Sequence, residues 1–129
     1  MTPSFHDGSL TGIRTSVGTA TLFITRVDGA HWAVELEDVE QLLANDFRQG
    51  NIISSFEVLT GVSVRRDWLE ELMPGPHPSA ANPFHDAHVV VLDRTLSRIA
   101  ASELNLVVIS PSYGCDFLAL CGRVKIAPA

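Results

Sequence analysis

The stretch that most limits what this chain can fold into is residues 103–126. Leu104, Leu106, Val107, Val108 and Ile109 form a short, nearly unbroken apolar run. Phe117, Leu118, Ala119, Leu120 and Cys121 answer it after the turn Ser110-Pro111-Ser112-Tyr113-Gly114. Runs this short, bounded by Pro and Gly, suit strands covered on both faces better than a helix of workable length. The end of the chain therefore reads as a hairpin in the middle of a core.

The remaining sequence is long enough to supply that core. At 129 residues, 46% of them hydrophobic and 19% charged, the chain has the length and composition of one folded domain, residues 1–129, with no need of metal or disulfide staples. A net charge of −6 and a pI near 5.2 oppose binding to phosphate backbones, which needs clustered Lys and Arg. Nucleic acid is therefore excluded as the expected partner. The only adjacent basic pair, Arg65-Arg66, is followed at once by Asp67, Glu70 and Glu71 and reads as a solvated helix face. The opening residues lack a basic region followed by an apolar one, and no stretch of about 18 apolar residues occurs. We expect a cytoplasmic protein with no membrane partner.

In chain order, Ile13, Thr15 and Val17 share one parity and mark a first strand. Leu22 and Ile24 mark a second, which runs into Asp28-Gly29, the two-residue signal of a type I′ hairpin. Trp32, Val34 and Leu36 alternate with His31, Ala33 and Glu35 as the return strand. From residue 37 the period changes: Val39, Leu42, Leu43 and Phe47 fall at helical spacing behind a group of acids, which predicts a short helix over 37–46. Ile52, Phe56 and Val58 predict a fourth strand. Ser63 is the expected N-cap of a helix carrying Trp68, Leu69, Leu72 and Met73, stopped by Pro74. Residues 74–83 are a Pro-rich surface loop. Asn82-Pro83 then opens the longest helix, with Val89, Leu92, Leu96, Ile99 and Ala100 as its buried stripe. The order β-β-β-α-β-α-α-β-β predicts an α+β fold, with a mainly antiparallel sheet of about six strands and helices packed on it.

Few residues suggest chemistry. His85 and His88 are three apart on a helix and can face one way, with Asp86 or His6-Asp7 to complete a metal set. That spacing is common, however, so we expect solvated histidines and no metal or other cofactor. Cys115 follows a turn glycine, where a thiol can be exposed, but no histidine lies near it in sequence to act as base. Both cysteines are therefore expected as small buried apolar residues. Six residues apart on one extended strand, their Cα atoms would be roughly 20 Å apart, too far for a disulfide. The densest polar cluster is Asn45-Asp46-Phe47-Arg48-Gln49-Gly50-Asn51. Asn45, Asp46, Arg48 and Asn51 are the candidate recognition residues, set against a purely structural role in capping and turning.

Three segments carry a resemblance: His6-Asp7-Gly8-Ser9-Leu10, Asn45-Asp46-Phe47-Arg48-Gln49-Gly50-Asn51-Ile52-Ile53 and Pro111-Ser112-Tyr113-Gly114-Cys115. Together they resemble a family of small uncharacterised bacterial domains, and the opening more distantly resembles the immunity proteins of polymorphic-toxin systems. The resemblance implies a small cytoplasmic bacterial protein with a strand-rich α+β fold, and it carries no catalytic residues across.

The expected function is a non-catalytic module that binds another protein, an immunity-type inhibitor being one version. A small enzyme using Cys115 or a histidine-based metal site is the alternative, and a small-ligand binder the third. A homodimer is also expected, because meander strands leave edges that a second copy can pair with.

Overall fold

A computed structural model describes residues 3–129. Met1 and Thr2, part of the opening read for a leader, lie outside them. Among the described residues, eight strands and two helices form an α+β fold around one antiparallel sheet. The strands are β1 (Ser9–Ser16), β2 (Thr19–Thr25), β3 (His31–Glu37), β4 (Gln41–Asn45), β5 (Asn51–Leu59), β6 (Asn105–Tyr113), β7 (Asp116–Cys121) and β8 (Arg123–Pro128). The helices are α1 (Arg66–Leu72) and α2 (Asn82–Ala100).

The sheet order β4-β7-β6-β5-β1-β2-β3-β8 hides a closure. Only Gly122 separates β7 from β8, and only residues 38–40 separate β3 from β4. The ladders β3 with β8 and β4 with β7 therefore lie end to end along the same two chain segments, from Trp32 opposite Pro128 to Asn45 opposite Asp116. Counted as two long bent strands, these segments bring the two ends of the sheet together into a barrel. The outer flanks of β4 and β8, five and six residues long, stay unpaired, as do the facing flanks of β1 and β5 beyond their two residue pairs. Closure shortens the pairable edges expected of a meander, because a sheet closed on itself spends most of its edges on its own strands.

The bend sits where the backbone is least ordinary. Asp38 has φ +52°, and the Gly122 amide donates to the carbonyls of Glu37 and Asp38 at 2.9 and 3.1 Å. A Cβ on Gly122 would stand 3.0 Å from that of Asp38, so any larger residue at the crossing would have to push the Asp38 side chain aside. The helix expected over 37–46 is instead this bend and β4. Leu42 and Ala44 pack on the barrel interior while Leu43 packs on the helix layer, and a strand buried on both faces mimics helical spacing.

The 103–126 stretch occupies the centre, as its pattern requires. Val107, Ile109, Phe117, Ala119 and Cys121 fill the barrel with Leu22, Ile24, Val34 and Leu36. Leu106, Val108, Leu118 and Leu120 face outward against Leu69 and Leu72 of α1 and Leu92 and Ile99 of α2. Phe5 plugs the barrel beside Trp32 and Phe56, edge-on to both, with ring centroids 6.3 and 5.1 Å away.

Three local expectations change. The hairpin between β2 and β3 is a three-residue loop, because the Gly29 amide donates to the Arg26 carbonyl and the Arg26 amide to the Ala30 carbonyl. With φ +87° at Gly29 alone, it is a type I turn closed by a glycine bulge, not a type I′ turn. Ser63 does not cap α1; Arg65 precedes its first turn without a side-chain cap. In β5, irregular register around Ile53 puts Ile53 in the core and Ile52 at the surface. An extra residue in a strand reverses which face the following side chains point to.

Candidate recognition surface

The barrel closes between β1 and β5 over only two residue pairs, Ser9 with Ile52 and Leu10 with Asn51. The turn before β1 extends this seam. The Asp7 amide donates to the Ile53 carbonyl at 2.8 Å, and the Ile53 amide to the Gly8 carbonyl at 2.9 Å. Asp7 has φ +62°, and the Gly8 amide donates back to the Phe5 carbonyl, so a tight turn aims the chain from the Phe5 plug into β1.

Asn51 pins the seam. It is 2% exposed, and its Nδ2 donates to the Leu10 carbonyl at 3.1 Å. Its Oδ1 accepts from the amides of Arg48 at 2.8 Å and Cys115 at 3.0 Å. One amide side chain thus ties together β1, the 46–50 loop and the turn between β6 and β7. Gly114 makes room for it: its φ is +84°, and a Cβ there would fall within hard contact of Asn51 Oδ1. The three segments His6 to Leu10, Asn45 to Ile53 and Pro111 to Cys115, far apart in sequence, meet at this one corner.

What the corner shows to solvent is apolar and aromatic. Phe47, Ile52 and Tyr113 are all exposed, and Ile52 and Tyr113 are cross-strand partners. Phe47, Arg48, Gln49 and Gly50 line an open groove of about 630 Å³ with Ser9, Leu10 and Thr11 of the β1 bulge. Arg48 is held by Asp46, Nε to Oδ1 at 2.8 Å, and this carboxylate, with Tyr113 beside it, raises the guanidinium's pKa above its ordinary value. Asp46 takes φ +58° to make the turn, and Asn45 ends β4 opposite Asp116.

Of the four candidate recognition residues, Asn45, Asp46 and Arg48 stand at the surface. Asn51 does not; it is an internal pin, so its side chain cannot touch a partner. Phe47, Ile52 and Tyr113 carried no such signal, having been read into a helix stripe, a core parity and a turn. The bulges of β5, which turn Ile52 outward, leave no mark in composition.

The residues considered for catalysis and metal binding are dispersed. His6 lies at the surface, Nδ1 2.6 Å from the Ser54 carbonyl oxygen and Nε2 3.4 Å from Asp7. His85 and His88 lie half-buried on the first turns of α2, His88 under the 74–83 loop, where a Cβ on Gly75 would stand 3.1 Å away. Among the described residues, no three His, Cys, Asp or Glu side chains stand close enough to share a metal ion. Cys115 and Cys121 are buried free thiols. Burial pushes the Cys115 thiol up to about 11, with the carboxylates of Asp116 and Asp46 adding to it, so it stays protonated and makes a poor nucleophile at neutral pH. Among the described residues, no helix is long and apolar enough to cross a membrane. Comparison with family models, curated proteins and solved structures finds no match for this chain.

Proposed function

We propose that the chain is a non-catalytic module that binds another protein through the corner built around Asn51. The observation that carries this reading is the grouping of Phe47, Arg48, Ile52 and Tyr113 on segments that the buried Asn51 side chain ties together. Aromatic residues and Arg dominate interface energetics because they bury large areas with few rotatable bonds and still keep a polar handle. A net charge of −6 favours a basic partner by steering its approach. An immunity-type inhibitor in the cytoplasm, which the opening residues resemble, is one form of such a module. An enzyme built on Cys115 is the weaker reading, because its thiol is buried and its pKa is raised.

The test is a paired capture from extract of the source cells, using wild type and a Phe47→Ala/Tyr113→Ala variant as baits. A protein retained stoichiometrically by wild type should be lost by the variant, whose far-UV spectrum and Tm stay those of wild type. With the purified partner, Kd should rise about 10- to 100-fold, the scale of losing one or two aromatic anchors. Equal retention by both baits, or no stoichiometric partner at all, rules this reading out.

A further inference from the structure

The first half of α2 shows more apolar surface than its packing explains. Leu92, Thr95 and Ile99 face the core, yet Phe84 is 65% exposed and the consecutive Val89, Val90 and Val91 are 46%, 53% and 43% exposed. Valine is a weak helix former, so solvent-facing positions gain nothing from it. At about 100° per residue, the face directly opposite Leu92 holds Ala87, Val90, Arg94 and Ser97, with Asp86 beside them. All five are exposed.

The charges on this face complement themselves. Asp86 and Arg94 lie four residues either side of Val90, and among the described residues neither makes an ion pair. Their neighbours do: Asp93 takes Arg66 at 2.7 Å and Arg98 takes Glu40 at 2.7 Å. If two copies of α2 pack antiparallel about a two-fold axis at Val90, each residue faces the one at the mirrored position. Val90 then meets the partner subunit's Val90, and Asp86 meets the partner subunit's Arg94 twice over. A two-fold interface requires this kind of self-matching.

We propose that two copies of this chain associate through α2, antiparallel about Val90, with the two Asp86 to Arg94 pairs fixing the register. This face is formed by α2 alone, and none of its residues belongs to the proposed recognition surface. One helix strip with a few apolar side chains is at the small end of stable interfaces, which places the dissociation constant at about micromolar.

Sedimentation equilibrium from about 1 μM to 1 mM tests this range. Wild type should pass from 14.0 kDa to twice that mass. Asp86→Arg alone and Arg94→Asp alone should each weaken association at least about tenfold, because each sets like charges opposite one another. The two single variants mixed one to one should associate with each other, since their faces are then oppositely charged, and the double swap in one chain should restore the homodimer. Both changes are at exposed positions, and an unchanged Tm confirms the fold. A mass that stays near 14.0 kDa at the highest concentration, or single swaps that leave the dissociation constant unchanged, overturns the proposal.

Discussion

Asn51 shows how a single side chain can set the geometry of a surface it never reaches. Its three hydrogen bonds satisfy two amides and one carbonyl, two of the bonds being buried and that to the Arg48 amide part-buried, and a buried group left without a partner costs about 1–3 kcal/mol. Asn51→Ala should therefore destabilise the chain by roughly 3 kcal/mol or more, read as a lowered denaturation midpoint. Gly114→Ala should be nearly as damaging, because it combines positive φ with a clash against Asn51 Oδ1. Combining the two changes should cost less than their sum, since alanine at 51 removes the clash. Strict additivity in a denaturant series would mean that the two residues are not coupled as their contact implies. The sequence marked Asn51 as important for a polar cluster, but its burial was not legible, because its hydrogen-bond partners lie 3, 41 and 64 residues away in the chain.

At the scale of elements, the pattern was readable where one face of a strand meets water and misleading where both are covered. β2 and β3 alternate and were placed from the sequence; β4 does not, since Leu42 and Leu43 are needed on opposite sides. What separates β4 from a helix is its ladder with β7 and the bend at Asp38, and both are tertiary facts. The stripe of α2 was likewise half right, with Leu92 and Ile99 buried but Val89 and Ala100 exposed. The bend is also where an ion pair joins the layers: Arg98 in the last turns of α2 grips Glu40 with both Nη atoms, at 2.8 and 2.7 Å. This hydrogen-bonded pair holds the Glu40 carboxyl below the ordinary carboxylate range. A carboxylate whose pKa is lower folded than unfolded stabilises the fold once pH exceeds the unfolded value, and that contribution is lost as pH falls through the folded one. Wild type should therefore be more stable than Glu40→Gln by a constant amount above about pH 5, and the gap should shrink steadily in more acid solution. Because both groups are partly exposed, the gap should be below about 1 kcal/mol and should narrow further in high salt. A gap that widens on acidification would show that the pair does not act this way.

For the whole molecule, an α+β fold with a doubly covered terminal hairpin was visible in the sequence, but the closed barrel was not. Closure depends on two long strands bending at Asp38 and Gly122 and on a seam between residues some 40 apart, and neither leaves a periodicity to read. It also distributes stability unevenly. β6 and β7 are covered inside by the barrel core and outside by both helices, whereas β1 meets β5 over two residue pairs before its bulge carries it away. Local opening follows the fewest contacts, so the seam should part well before the central hairpin does. Native-state hydrogen exchange should find the amides of Leu106, Val108, Leu118 and Leu120 exchanging only through global unfolding. The amides of Asp7 and Ile53, which hold the seam, should exchange at least about tenfold faster through a smaller opening, a difference of about 1.4 kcal/mol. Asn51→Ala should raise the seam rates by more than it raises those of the hairpin, because it removes the pin from one side of the barrel only. Seam amides as slow as those of β6 and β7 would instead mean that the barrel opens as a single cooperative unit, with no weak line beside the recognition corner.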